Sequence, residues 1–390
     1  MVTAVRKILI FVVTAVVLAA GAILLLVATP GRKSAGTRAL IARVPESAEA
    51  FAVIPDAGAV DRKARANPVT RAALESWKKS HPLPPSWLLG RAGVVVWKSG
   101  KDVRTVADLD PVRALLVRLT GADVSGGPPE APIDAVSLAE INALVAKLPP
   151  GDALVVQRSS SRGAYPPIGR PAVTSIRITP ADVLLDSLSG APPPPAAPRR
   201  AAALRLPRSA VISGSFAEAP GLVTDLNRLF GAKISELVAD GGMISIYNVD
   251  THKLLPRPFG VIALPADPAR RVILDEFVKR LNGLGARTAT RGDLLVLSFD
   301  DSIDQFMRDS FEAPAQPAAE WAVRIDPERM VPILKALGDN VGLRIVASRL
   351  YRSARDLDRW IGGLEQAKSI EATESAGDGV ELLQVRIASK

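Results

Sequence analysis

The sequence predicts an α+β protein: a single N-terminal transmembrane helix followed by two related lobes of mainly antiparallel sheet with helices packed on one face. Three observations carry this expectation. The run from Ile8 to Ala28 holds no charge and nothing more polar than Thr14 and Gly21; at about 1.5 Å per residue it reaches roughly 30 Å, the thickness of a hydrocarbon core. Beyond it, short apolar segments pair around turn residues, as antiparallel hairpins require. Amphipathic stretches of helical period fall between those pairs.

Arg6 and Lys7 precede the apolar run, and Arg32, Lys33, Arg38 and Arg43 follow it. With basic residues on both sides, the positive-inside rule does not by itself set the direction of the helix. The short basic tail leading straight into an apolar run has the layout of a secretory signal, yet Leu26 spoils a small-x-small cleavage pattern at Ala28. We read an uncleaved signal-anchor with its tail in the cytoplasm and the body on the far side of the membrane. The chain has no cysteine, which excludes disulfides, thiolate metal sites, catalytic thiols and a lipidated cysteine, so residues 8–28 are the expected contact with membrane lipid. Residues 1–38 form this anchor and its short linker.

The net charge of +9 invites a nucleic-acid reading. Such a surface needs clustered basic side chains interleaved with aromatics. The densest patch here, Arg199, Arg200, Arg205 and Arg208, lies in a Pro/Ala stretch with no aromatic residue, so no nucleic-acid partner is expected. Leu188 to Pro207, with the core Ala191-Pro-Pro-Pro-Pro-Ala-Ala-Pro198, reads as an extended linker that buries nothing. It separates a first α+β lobe (39–187) from a second (208–390), and 48% apolar residues suffice for a core in each.

In the first lobe, Phe51 to Ile54 reads as a strand and Pro68 to Lys79 as a helix. Gly93 to Trp97 and Val103 to Ala107 form a hairpin turning at Ser99-Gly100, and Ala153 to Gln157 and Val173 to Ile178 complete a sheet. In the second, Ala210 to Phe216 is a strand, Gly221 to Val238 a helix, and Met243 to Val249 and Gly260 to Leu264 are strands. Asp267 and Pro268 then open a helix whose inward face is Ile273, Phe277, Leu281 and Leu284, ended by Gly283 and Gly285. A hairpin, Arg287 to Thr290 and Leu294 to Phe299, precedes a helix with Ile303, Phe306 and Met307 inward. Strand Trp321 to Ile325, a helix around Val331 to Leu337, an amphipathic segment from Leu350 to Leu364 and a closing hairpin, Ser369 to Glu374 with Val380 to Ile387, finish the chain.

Asp108 to Gly121 echoes Arg324 to Gly338: both read strand, Asp-Pro, helix, Gly. Arg177-Ile-Thr-Pro180 and Leu264-Pro-Ala-Asp-Pro268 resemble the same junction, so a strand feeding a capped helix looks like an internal repeat. The side chain of Asp or Thr accepts from the first free amides of a helix, and Pro lacks the amide that would go unpaired. Pro332 should break a helix begun at Pro327, which therefore starts late or kinks.

Candidate chemistry is sparse. Ser76 and Lys79 have the Ser-x-x-Lys spacing of a nucleophile and base, but no partner motif accompanies them. Asp108 with Asp110, and Asp300 with Asp301, are the carboxylate pairs that can hold a divalent ion, yet each precedes a helix, where capping accounts for it. His81 and His252 lack partners at metal-ligand spacing. Arg291-Gly-Asp293 reads as a turn rather than an adhesion signal. Phosphate-loop, dinucleotide-loop, zincin and nucleophile-elbow motifs are missing. No catalytic, cofactor-binding or metal residue is assigned, and no cofactor is expected.

The anchor, the Asp-Pro junctions, the hairpin Arg291 to Asp301 and the segment Val44-Pro-Glu-Ser-Ala48 before Phe51-Ala-Val-Ile54 together resemble a group of bacterial membrane-anchored envelope proteins of unknown function. The resemblance implies an extracytoplasmic body at the bacterial inner membrane, with no activity and no site residues to carry over. The expectation is a non-catalytic binding or scaffolding module with an envelope protein as partner. An envelope hydrolase with a site between the lobes is the alternative.

Overall fold

The computed structural model describes residues 36–78, 90–99, 102–109, 133–158, 171–190, 205–216, 241–253, 256–266, 271–312, 321–340, 361–377 and 380–390. The membrane helix expected over Ile8–Ala28, the helix over Gly221–Val238 and most of Leu350–Leu364 lie outside them. Among the described residues no helix is long and apolar enough to cross a membrane. Mixed helix and antiparallel sheet bear out the α+β class.

In chain order the elements are α1 (Thr37–Ile41), β1 (Ala50–Ile54), α2 (Ala57–Ala66), α3 (Pro68–Lys78), β2 (Val94–Ser99), β3 (Asp102–Ala107), α4 (Ala135–Lys147), β4 (Ala153–Gln157), β5 (Ala172–Ile178), β6 (Asp182–Gly190), β7 (Leu206–Pro207) and β8 (Ile212–Phe216). There follow β9 (Gly242–Asp250), β10 (Arg257–Pro265), α5 (Arg271–Gly283), β11 (Arg287–Arg291), β12 (Leu294–Ser298), α6 (Ser302–Arg308), β13 (Phe311–Glu312), β14 (Trp321–Ile325), α7 (Pro327–Asp339), β15 (Ala367–Gly377) and β16 (Val380–Ser389). The chain divides into two compact units, residues 1–62, 82–145 and 152–169 in the first and 63–81, 146–151 and 170–390 in the second.

The first unit holds strands in the order β4-β1-β2-β3, each antiparallel to its neighbour. Strict alternation puts Phe51 and Val53 of β1 and Leu154 and Val156 of β4 inside. Leu40 and Ile41 of α1 and Val44 join the buried set. Asp56 accepts from the amide of Ala59 at 2.7 Å at the start of α2, and Asp134 accepts from the amide of Ser137 at 2.8 Å at the start of α4. The bond from the Ser137 amide is the main reason the Asp134 carboxyl titrates below the usual carboxylate range. Gly58 allows a close approach of backbone: its amide meets the Gly90 carbonyl at 2.6 Å, and a Cβ there would stand 2.4 Å from that oxygen.

The second unit carries ten strands in the order β11-β12-β10-β9-β8-β14-β15-β16-β6-β5. Its membership corrects the lobe boundary expected at 188–207. The β5–β6 hairpin, which the sequence assigns to the first lobe, pairs along β6 with β16. Leu188 to Gly190 are the end of β6, and Leu206-Pro207 form a short ribbon with Phe311-Glu312. Residues 191–204, with the proline run, lie outside the described residues. Arg177-Ile-Thr-Pro180 is the turn of that hairpin, closed by the Thr179 amide on the Asp182 carbonyl at 2.9 Å, and not the start of a helix. Pro is compatible with both settings, so the motif alone does not separate them.

Helices cover both faces at the β9–β12 end, which corrects the one-face expectation. Ile303 and Phe306 of α6 pack with Met243, Tyr247, Val261, Ala263 and Val296. On the opposite side of the same strands, Leu274 and Leu281 of α5 pack with Leu264, Leu295 and Leu297. The inward stripe of α5 is thus Leu274, Phe277, Val278 and Leu281, the spacing of one helical face. Leu284, expected inside, lies beyond the helix end and is 64% exposed. Gly285 takes a left-handed conformation at φ +85° and lets the chain leave the helix there.

Asp326 caps α7 through the amides of Glu328 and Arg329, with Pro327 first in the helix as the sequence suggests. The helix starts at Pro327 and runs through Pro332, correcting the late start. Pro332 is the sixth residue of the helix, past its first turn, so its missing amide forfeits the bond to the carbonyl of Glu328. At the start of α3, Asn67 is wholly buried. Its side-chain amide donates to the Thr179 carbonyl at 2.8 Å and the Ser389 hydroxyl at 2.9 Å, and its oxygen accepts from the Thr70 amide. One side chain therefore caps a helix and fastens it to the β5–β6 turn and the end of β16.

Candidate functional site

Most residues singled out in the sequence prove to be structural. Asp108 pairs with Arg43 at 3.3 Å; Asp110 lies outside the described residues. Asp300, not Asp301, caps α6, accepting from the Ser302 amide at 2.7 Å while its other oxygen takes the Gly260 amide at 3.2 Å. Asp301 reaches out to Arg287 at 2.7 Å. The pair therefore diverges instead of forming a chelate. Ser76 is in the last turn of α3, which ends before Lys79, and Lys79 and His81 lie outside the described residues. His252 is exposed in a turn closed by its amide on Asp250 at 3.0 Å. Among the described residues no group of three His, Asp or Glu is placed to hold a metal.

Arg291-Gly-Asp293 is the β11–β12 turn, with Gly292 at φ +60°. The Arg291 guanidinium is turned back into its own protein. It donates to the carbonyls of Phe306 and Asp309 and stacks 4.2 Å from the Phe311 ring. An adhesion reading, which needs this cation presented outward, does not fit the geometry.

Two polar clusters in the second unit have no counterpart in the sequence reading. The first centres on Asp309, 9% exposed just after α6. Its carboxylate accepts from the Ser209 amide at 3.1 Å, the Ser209 hydroxyl at 2.6 Å and the Tyr247 phenol at 3.2 Å. Burial, then the Asp309 charge and hydrogen bond, push the Tyr247 phenol far above its ordinary value. Tyr247 is thus a fixed donor at every physiological pH. A serine hydroxyl on a carboxylate suggests a nucleophile and its base, but here the same carboxylate also holds the Ser209 amide and the Tyr247 phenol. The cluster reads as a lock on the junction of β7, β8, β9 and α6.

The second cluster is a strip of hydroxyls on the same sheet face. Ser213 of β8 stands opposite Ser245 of β9 on one side and Arg324 of β14 on the other, and Ser215 follows two residues along. Strand alternation places all four on one face. Ser213, Ser215 and Ser245 are 1%, 2% and 0% exposed, and none of their hydroxyls has a hydrogen-bond partner among the described residues. Beside them Arg324 donates to Glu312 at 2.5 Å, and Arg208 approaches the same carboxylate at 3.3 Å. A trace of the strip is legible in the sequence: Ser213-Gly-Ser215 sets small polar residues where alternation with Ile212 and Phe216 assigns a second buried face.

Each unpaired buried hydroxyl costs about 1–3 kcal/mol of desolvation. Ser245→Ala removes one such group without breaking a bond, so urea denaturation should show a gain of about 1 kcal/mol. The hydrogen bond from Arg324 is the main cause holding the Glu312 carboxyl below the usual range, with partial burial opposing and Arg208 assisting. Because the folded value lies below that of the unfolded chain, this contribution is full at neutral pH and is lost as pH falls through the folded value. Glu312→Gln should flatten the acid limb of the stability curve while leaving its alkaline limb unchanged, as thermal unfolding between about pH 3 and 8 would report.

No family model, curated protein or solved structure matches the chain. The functional reading therefore rests on residues alone.

Proposed function

We propose that the chain is a single-pass membrane-anchored protein of the bacterial cell envelope, with residues 8–28 as the tether and an extracytoplasmic α+β body acting as a non-catalytic binding or scaffolding module. The observation that carries the anchor is the uncharged run Ile8–Ala28, long enough for a bilayer in a chain without a lipidatable cysteine. A non-catalytic role is supported by the use of Asp56, Asp134, Asp300 and Asp326 as helix caps. The echo between Asp108–Gly121 and Arg324–Gly338 supports two related lobes. Tethering is tested by alkaline carbonate extraction of bacterial membranes: the full chain should stay in the pellet and a chain lacking residues 1–30 should be released. Release of both would remove the anchor.

A further inference from the structure

We propose that the β5–β6 hairpin, with Asn67 beside it, is a non-covalent clasp: it holds residues 205–390 to the N-terminal part of the chain by strand pairing, so that a chain cut within residues 191–204 stays together as two pieces. The clasp itself does not involve the membrane; that it would keep both pieces tethered rests on the anchor proposed above. Chain order alone suggests the opposite outcome. The anchor run belongs to residues 1–190, and all strands of the second unit other than β5 and β6 follow residue 205. A cut in the proline run would then be expected to shed them.

The seam that bridges such a cut is long. β6 lies against β16 from Asp182 opposite Ala388 to Gly190 opposite Val380, and β5 backs β6 from Ala172 to Ile178. The Ser389 amide adds a bond to the Ala181 carbonyl at 2.7 Å. Side chains fasten the same line. Arg386 reaches both oxygens of Asp182 at 3.0 and 3.2 Å, and Gln384 donates to the buried Asp186 carboxylate at 2.6 Å. Asn67 spans it at one end, with the Thr179 carbonyl on its own side and the Ser389 hydroxyl on the other. Val173, Val183 and Leu188 of the hairpin are buried. Separation would expose these apolar groups, take Gln384 from a buried carboxylate, and leave β16 as a long open edge. An intact link adds an effective concentration on the order of millimolar. Once it is cut, the seam alone must hold the pieces.

The test uses the full chain in detergent, with an affinity tag at its N-terminus and a recognition sequence for a site-specific protease inserted between Pro198 and Arg199. After complete cleavage on the resin at neutral pH, residues 199–390 should stay bound through washing. The eluted pair should run in gel filtration at the size of the uncut protein. Arg386→Ala with Gln384→Ala should speed release of the cut piece on the order of tenfold, while the uncut variant still unfolds in one cooperative transition. Arg386→Ala alone, which removes the pair with Asp182, gives the same readout more weakly should the double variant fail to fold. Loss of residues 199–390 from the parent in the first wash, elution of the cut parent as an aggregate, or a release rate that the substitutions leave unchanged overturns the clasp. The readout is made in detergent, so its failure leaves the anchor standing, and carbonate extraction of the uncut chain judges the anchor separately.

Discussion

Gly260→Ala is expected to lower stability by about 3 kcal/mol, the cost of forcing a methyl group into closed backbone. Gly260 follows a register shift in β10 at Phe259, where the strand bulges against β9. A Cβ at this position would stand 2.4 Å from the Ser245 carbonyl oxygen and 3.3 Å from the Ile246 Cα. Both are backbone atoms of a paired strand and have no rotamer to escape into. The strand cannot back away either. Its amide is held by Asp300 at 3.2 Å and its carbonyl by the Ser298 hydroxyl at 2.8 Å. The same substitution at Gly338 in α7, where nothing lies within 4 Å, should instead gain up to about 1 kcal/mol from helix propensity. Urea denaturation of the pair separates a steric requirement from a general effect of replacing glycine.

Asp309→Ala should cost a similar amount, about 3 kcal/mol, by a different route. The substitution strips the acceptor from the Ser209 amide, the Ser209 hydroxyl and the Tyr247 phenol together, and it does so inside the cluster built on Phe306. Three stranded donors cost more than one lost bond, because each was desolvated on folding. Asp309→Asn keeps one acceptor oxygen and should lose about half as much, and Tyr247→Phe, which removes one donor and leaves the carboxylate with Ser209, about 1 kcal/mol. If Asp309 were instead a base activating Ser209, the Asn variant would fold as the parent does. Equal stability of parent and Asn variant in the same urea measurement would therefore count against the lock.

Local signals are legible in the sequence wherever one short stretch carries its own physics. Asp326-Pro327 caps α7, Gly292 turns the β11–β12 hairpin, and Ile303 and Phe306 mark the buried side of α6. Each depends on a hydrogen bond or a period within a few residues. Partnership between distant strands is not legible in this way. Nothing in Asp182–Gly190 announces that it pairs with Val380–Ala388, about 200 residues on, so sequence alone leaves the β5–β6 hairpin with the first lobe. The Asp309 cluster escapes for the same reason: Ser209, Tyr247 and Asp309 meet only through the order of β8, β9 and α6. The serine strip lies between these cases. Its alternation is local, but the opposition of Ser245 and Arg324 to Ser213 is a property of the sheet.

The envelope role proposed for the body depends on the direction of the Ile8–Ala28 run, and a topology reporter measures that direction most directly. An alkaline phosphatase fused after Lys390, active only outside the cytoplasm, should be active in a bacterial host, and a green fluorescent reporter at the same position should be dark. An inactive phosphatase with a bright fluorescent fusion would place the body in the cytoplasm and contradict the envelope module.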